Sequence, residues 1–182
     1  MNYLRGFIPW IAFAVVASAG WQWGALAALA IAVAMLIVQR RAGVGFDALI
    51  LEIGTVVYFV ALASLAFANP NSGLHHYTAV MSFGWLALIS WGTLAIRRPF
   101  TEGIARRSVA EEIWQSPVFK RVNVVLTMVW ATAFTATGIA IAICVATGAG
   151  STASTVCQVV GFVLPAAFTA RYPKAVRARY AR

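Results

Sequence analysis

Apolar runs recur along the whole chain, and short polar breaks separate them. Six runs can be delimited, at residues 7–19, 24–39, 48–68, 77–96, 122–147 and 155–170. A helix needs about 20 apolar residues to cross the hydrocarbon core of a bilayer, with roughly 17 as the lower limit. The third, fourth and fifth runs reach that length, and the other three reach it when flanking neutral residues are added. The pattern predicts an all-α transmembrane helix bundle of six spans.

Composition agrees with lipid as the solvent of these runs. The 182-residue chain is 62% hydrophobic and only 10% charged, whereas soluble domains usually carry about 25% charged residues. A soluble protein of this size has too small an interior to hide so many apolar side chains. We therefore expect a single integral-membrane domain over residues 1–182.

The basic residues mark one end of each predicted span. Three breaks, at residues 20–23, 69–76 and 148–154, contain no Lys or Arg. The 14 basic residues all lie elsewhere, as Arg5, Arg40, Arg41, Arg97, Arg98, Arg106, Arg107, Lys120, Arg121, Arg171, Lys174, Arg177, Arg179 and Arg182. Because basic residues near span ends stay in the cytoplasm, both termini and the loop at 97–121 are predicted to be cytoplasmic. The six spans then form three helical hairpins, each of which leaves and re-enters the cytoplasm.

The first run has an alternative interpretation. Residues 1–20 also resemble a secretory signal, with Arg5, an apolar stretch and Ala17-Ser18-Ala19 as a cleavage site. Cleavage there would leave five spans and an external N-terminus, and the basic residues would fit that topology equally well. We expect the first run to be a span.

The net charge of +9 raises the question of nucleic-acid binding. Proteins that bind nucleic acid gather their basic residues on one face of a soluble fold. In this chain the basic residues lie in small groups at the ends of apolar runs. Membrane lipid, and no nucleic acid, is therefore the expected partner.

The break at 97–121 concentrates charge between the fourth and fifth runs. Pro99 prevents the fourth helix from continuing. Ser108 and Glu111 have the spacing of a capping box, and Ser116-Pro117 has the pattern of a helix start. We expect a short amphipathic cytoplasmic helix that lies on the membrane surface. The candidate surface for lipid or for a membrane-protein partner comprises Arg97, Arg98, Phe100, Arg106, Arg107 and Trp114. The alternative is a connector that is amphipathic only because it lies on a membrane.

Two short motifs in this region resemble a known group of proteins. They are Arg97-Arg98-Pro99-Phe100-Thr101 and Trp114-Gln115-Ser116-Pro117-Val118-Phe119, followed by Asn123, Thr127 and Trp130. This stretch is similar to a group of largely uncharacterised bacterial inner-membrane proteins. The order of hairpins and basic ends also resembles the intracellular septation protein A family over most of the chain. The chain departs from that family in a longer loop after Pro99 and an Ala-rich second run. The resemblance implies a small multi-pass inner-membrane protein of envelope upkeep or cell division, with no established reaction.

Glu52 is the only carboxylate inside a predicted span. A charged carboxylate at the centre of a membrane helix costs about 3 kcal/mol, so such a residue usually faces the bundle and is a candidate functional group. Asp47 precedes the same helix, and Thr55 and Tyr58 follow Glu52 at helical spacing. These four residues form the candidate ion or proton site. The alternative is that Glu52 lies only about one turn inside and pairs with a basic residue at a helix end.

Three polar or aromatic residues in the fifth run also recur at helical spacing. Asn123, Thr127 and Trp130 are predicted to bond neighbouring helices, as polar residues inside membranes commonly do. Cys144 and Cys157 lie near the outer ends of the fifth and sixth runs. They are either two buried free thiols or a disulfide on the exported side.

The sequence lacks the signatures of an enzyme site. No phosphate-binding loop, dinucleotide fingerprint, nucleophile elbow or zinc-protease motif is present. His75 and His76 are adjacent, with no Cys or carboxylate nearby, so no metal site is predicted. We expect a protein without cofactors that is not an enzyme and that acts in the cell envelope through partners or lipids. The alternative is a transporter of a small solute or ion that uses Glu52.

Overall fold

The computed structural model describes residues 3–180, with side chains from Arg5 to Ala178. Every regular element in this part of the chain is helical, as predicted. The seven α-helices are α1 Ile8–Val16, α2 Trp21–Arg41, α3 Ile50–Ala68, α4 Thr78–Ala95, α5 Phe100–Arg106, α6 Pro117–Thr147 and α7 Gly150–Tyr180. Short 3₁₀ turns lie at Tyr3–Phe7, Ala17–Ala19, Phe46–Ala48, Gly73–Tyr77 and Glu111–Ile113.

Five helical segments are long and apolar enough to cross a membrane. They are Trp21–Arg41, Ile50–Ala68, Gly73–Ala95, Pro117–Thr147 and Gly150–Ala178. The first predicted run forms a shorter apolar stretch, Arg5–Ala19, which falls below the roughly 17 residues that a crossing requires. The second to sixth runs are therefore found as helices of membrane-spanning length, and the sixfold count and the three hairpins remain predictions.

The chain divides into two compact units, Met1–His75 and His76–Arg182. In the N-terminal unit, α2 packs against both α1 and α3. Small buried residues of α2, Ala25, Ala28 and Ala32, let the helices approach closely. The turn between α1 and α2 is equally tight, because a Cβ on Gly24 would come within 2.9 Å of the Ala17 backbone.

The core of the N-terminal unit is aromatic. The ring centroids of Trp10 and Phe59 lie 4.9 Å apart, and those of Phe13 and Phe59 lie 5.6 Å apart. All three side chains are buried. Burial of large rings from α1 against α3 explains why the short first helix is held in place, since aromatic pairs contribute beyond the area they bury.

In the C-terminal unit, α6 packs against α4, α5 and α7. It begins as the sequence predicts, because the Ser116 side chain accepts a hydrogen bond from the Phe119 amide at 3.2 Å and Pro117 occupies the first turn. It ends at Gly148, whose φ of 67° places it in the left-handed region that glycine tolerates. Helix α7 follows at once and extends beyond the predicted run at both ends.

Close contact joins α6 and α7 along their length. The Trp130 indole donates a hydrogen bond to the Thr169 hydroxyl at 3.0 Å, and its ring packs on Phe162. Further along, a Cβ on Gly161 would overlap the Thr137 hydroxyl. Glycine at this position lets the two helices approach more closely than any other residue would allow.

Candidate functional site

Glu52 lies in the first turn of α3 and is 5% exposed. The side-chain amide of Gln39, near the end of α2, donates a hydrogen bond to Glu52 Oε1 at 3.2 Å. Since a buried carboxylate is stable only with polar partners, this contact explains how α3 can keep an acidic group inside the N-terminal unit. Gln39 was not singled out in the sequence, because it stands at the end of an apolar run beside two arginines.

The space beside Glu52 is narrow. A crevice there is lined by Gly6, Pro9, Ala32, Met35, Glu52 and Thr55. No part of it accommodates a water molecule. A proton or ion would need water or a chain of polar groups to reach the carboxylate, and among the described residues this crevice has no room for that water.

Thr55 and Tyr58 share the buried face of α3 with Glu52. The Trp10 indole donates to the Thr55 hydroxyl at 3.2 Å, and that hydroxyl donates to the Leu51 carbonyl at 2.8 Å. The Trp10 ring also stacks on Tyr58, with 5.0 Å between centroids. The structure thus brings three of the four candidate residues onto one face and adds Trp10, which sequence spacing could not reveal because it belongs to another helix.

Asp47, the fourth residue of that candidate site, has a different setting. It lies in the 3₁₀ turn Phe46–Ala48 before α3, and it is exposed. The preceding Arg40 guanidinium lies 3.8 Å from the centre of the Phe46 ring. Asp47 therefore belongs to the exposed turn between α2 and α3 and not to the buried face that carries Glu52.

The segment between α4 and α6 begins at an unusual backbone position. Arg97 has φ of 59°, which is uncommon for a residue with a Cβ. The Arg98 amide donates to the Thr93 carbonyl at 2.8 Å, and the Arg97 amide to the Leu94 carbonyl at 2.9 Å. These bonds satisfy the carbonyls at the end of α4 and leave both arginine side chains exposed.

Helix α5 is more deeply buried than the sequence predicts. Five of its seven residues are buried, namely Phe100, Thr101, Gly103, Ile104 and Ala105. The Thr101 hydroxyl donates to the Asn123 carbonyl at 2.9 Å and lies 2.8 Å from the Thr127 hydroxyl. The expected short helix is present, but Phe100 is 3% exposed and packs into the unit instead of forming part of a lipid or partner surface. The reason is that Thr101 finds polar partners on α6 at the same point.

The second half of the segment folds back on α5. Arg106 forms an ion pair with Glu102, and its guanidinium lies 5.2 Å from the centre of the Trp114 ring. The Trp114 indole donates to the Val109 carbonyl at 3.0 Å. Arg106 and Trp114 are half-buried as a result, and Arg107 is half-buried as well.

The predicted capping box does not form. The Ser108 hydroxyl donates to the Ala105 carbonyl at 3.2 Å, so it closes the end of α5. Glu111 instead begins a 3₁₀ turn that has no side-chain cap. Serine favours either role, because its hydroxyl can accept from an amide or donate to a carbonyl.

The three residues predicted to bond neighbouring helices are all buried in α6. Thr127 contacts α5 through Thr101, and Trp130 donates to Thr169 of α7. The Asn123 amide donates to the Phe119 carbonyl of its own helix at 2.9 Å, while the Asn123 carbonyl receives the Thr101 bond. Two of the three side chains thus connect helices, and Asn123 does so through its backbone.

Clusters of His, Cys, Asp or Glu side chains are the usual binding sites of metal ions in proteins. Within residues 3–180, no group of three or more such side chains could hold a metal ion. His75 Nδ1 lies 2.8 Å from the Ser72 carbonyl, within a 3₁₀ turn.

These observations define the class of protein. Five long apolar helices are compatible with a multi-pass membrane protein. Comparison with known proteins adds nothing to that class, since the chain matches no protein-family model, no curated protein and no solved structure.

Proposed function

We propose that this chain is a non-enzymatic, multi-pass protein of the bacterial inner membrane that acts by binding protein or lipid partners through the segment 97–121. The observation that carries the proposal is the attachment of α5 to α6 by Thr101. It fixes α5 against α6, so that this part of the segment enters a complex without a large loss of conformational entropy. Both termini and this segment are assigned to the cytoplasm, because all basic residues lie on that side of the predicted spans.

The exposed part of the segment has the composition of a binding surface. Ile113 is 47% exposed at the tip of the 3₁₀ turn, next to exposed Glu111 and Glu112. Arg97 and Arg98 are exposed where α4 ends. An exposed apolar side chain among charges of both signs can provide contact area together with electrostatic selectivity.

The narrower role in envelope upkeep or cell division is also part of the proposal. It is supported by the resemblance of the motifs between Arg97 and Trp130 to bacterial inner-membrane proteins, and by the similarity to the septation protein A family. The buried Phe100, Thr101, Asn123, Thr127 and Trp130 of those motifs form a structural junction. The motifs therefore support the proposal that this segment folds as it does in those inner-membrane proteins. They support a partner in common with those proteins less directly.

Site-specific photo-cross-linking in native membranes tests the binding role. A photoreactive amino acid at Ile113 should give a discrete cross-linked protein or a defined lipid adduct. The same probe at Val163, which is 57% exposed on α7, should give only diffuse bulk-lipid adducts. Double charge reversal at Glu111 and Glu112 should weaken the Ile113 product. Identical diffuse products at both positions would contradict the proposal.

Transport through Glu52 is the second candidate function. The buried carboxylate favours it, and the narrow crevice beside it does not. In proteoliposomes with an imposed pH gradient, the proposal predicts that the protein does not accelerate gradient decay. Decay that depends on the protein and disappears with Glu52→Gln, in a variant that still folds, would establish transport and overturn the non-enzymatic binding role.

A further inference from the structure

The face of α6 that packs on α7 can be followed residue by residue. Trp130 bonds to Thr169, and Thr137 meets Gly161. Trp130 and Thr137 are seven residues apart, which is two helical turns, so they lie on one face of α6. Cys144 follows after another seven residues and therefore continues the same face toward the end of the helix.

The matching face of α7 is equally regular. Gly161, Pro165 and Thr169 are all buried and are spaced by four residues, which places them on one side of a helix. Cys157 precedes Gly161 by four residues and continues this side toward the start of α7. In an antiparallel pair, the order Trp130 with Thr169 and then Thr137 with Gly161 brings Cys144 and Cys157 to within about one helical turn of each other along the pair.

The two side chains bridge that offset. The thiol of Cys157 interacts directly with that of Cys144. Both are free cysteines and both are half-buried, so neither thiol is sealed inside the helix pair. The register of α6 and α7 therefore places two thiols where a single bond could join the helices.

The position of Cys144 along α6 places the two cysteines near a headgroup layer of the membrane. Cys144 lies 23 residues after Arg121 in the same helix, a rise of about 34 Å at 1.5 Å per residue. The hydrocarbon core is only about 30 Å thick. With Lys120 and Arg121 held at one headgroup layer, Cys144 reaches the opposite one, where soluble reagents have access.

We propose that Cys144 and Cys157 are a redox-active thiol pair that closes an intramolecular disulfide between α6 and α7. Closure breaks two S–H bonds, forms one S–S bond and releases two protons. One thiolate of the pair attacks the disulfide of an oxidised partner protein and forms a mixed disulfide with it. The second thiolate then attacks that mixed disulfide, so that the two electrons pass to the partner, which leaves as a dithiol and takes up the two protons. The location of the pair on the exported side rests on the orientation given under Proposed function, and oxidising conditions on that side make closure favourable.

Counting of free thiols tests the pair without interference, because the chain contains only two cysteines. Cells are quenched in acid, and the denatured protein is alkylated with a polyethylene-glycol maleimide. The wild type should gain no adduct before reduction and two after it. Cys144→Ser and Cys157→Ser should each gain one adduct, with or without reductant. Two adducts on the unreduced wild type would overturn the proposal.

Purified protein provides an independent measurement. In detergent, oxidised dithiothreitol should convert the wild type to a monomer without free thiols and raise its Tm by several degrees. Neither serine variant should show that shift. Formation of disulfide-linked dimers instead of a closed monomer would show that the thiols do not meet within one chain and would overturn the proposal.

The orientation is tested separately. Ala149→Cys, in the turn between α6 and α7, is placed in the chain that carries both serine substitutions. Labelling by a membrane-impermeant maleimide on intact spheroplasts confirms that the turn is external. If the turn is external and both thiols are nevertheless free in cells, the proposed disulfide is wrong and the orientation stands. An unlabelled turn would refute the orientation in the proposed function, and the measurement on purified protein alone would then decide the pair, because thiols on the cytoplasmic side are kept reduced.

Discussion

Glu52 shows how the interpretation of a buried residue depends on a neighbouring side chain. Inside an apolar helix, a lone carboxylate suggests an ion or proton site. The Gln39 amide, which donates to Glu52 Oε1, also makes the carboxylate part of the contact between α2 and α3. Gln39 and Glu52 come from different helices, so neither the spacing nor the composition of the chain could have paired them.

The hydrogen bond between Gln39 and Glu52 gives the first prediction. Gln39→Leu should lower the free energy of unfolding of the N-terminal unit by about 1–3 kcal/mol, because a buried carboxylate oxygen loses a donor. Glu52→Gln should cost less, since an amide oxygen can still accept. Val38→Leu, at an exposed neighbouring position, is the control. Thermal unfolding in detergent measures the three variants, and equal effects of Gln39→Leu and Val38→Leu would contradict the prediction.

Gly161 gives the second prediction at the scale of single residues. Gly161→Ala should destabilise the packing of α6 on α7, because the added Cβ would collide with the Thr137 side chain. Overpacking of this kind typically costs about 1–3 kcal/mol. Gly84→Ala is the matched control, since Gly84 also lies inside a helix but has open space around it. A Tm of Gly161→Ala equal to that of Gly84→Ala would show that the two helices can separate without cost.

At the scale of elements, α5 shows what determines the conformation of a connecting segment. Periodicity and flanking charges predict a short helix between α4 and α6, and they also suggest that it lies on the membrane surface. Its position against α6 depends on Thr101, whose hydroxyl bonds to α6. A threonine among charged residues carries no signal of such a contact in sequence, so the helix was predictable and its burial was not.

Thr101→Val tests this attachment. Valine keeps the shape of the side chain but removes the hydroxyl, so two buried hydrogen bonds are lost and α5 should detach more often from α6. Proteolysis within residues 100–115 should become several-fold faster in sealed inverted vesicles. Thr132→Val, at an exposed position of α6, should leave the rate unchanged. Rapid cleavage of the wild type would mean that the segment is a free loop.

At the scale of the whole molecule, the apolar runs predict the helices, and the charge pattern predicts which side of the membrane each break faces. The helical class and five helices of membrane-spanning length follow from the apolar runs alone, because the length needed to cross a bilayer is fixed by its thickness. The first run differs, since Arg5–Ala19 is short and yet well packed through Trp10 and Phe13. The length of an apolar run cannot show that its side chains pack against another helix.

The topology gives the last prediction. Reporter fusions after Ala42 and at Arg182 should be active on the cytoplasmic side, and a fusion within residues 69–73 should be active on the external side. The reason is the confinement of all 14 basic residues to the breaks assigned to the cytoplasm. An external signal at Arg182 would contradict the six-span topology.

The length of α6 and α7 affects how the C-terminal unit can sit in a bilayer. Each helix has 31 residues and is therefore about 46 Å long, well beyond a hydrocarbon core of about 30 Å. The bond between Trp130 and Thr169 and the close approach at Gly161 prevent either helix from sliding past the other. A change in bilayer thickness must therefore tilt both helices together. The pair would thus respond to hydrophobic mismatch as one body.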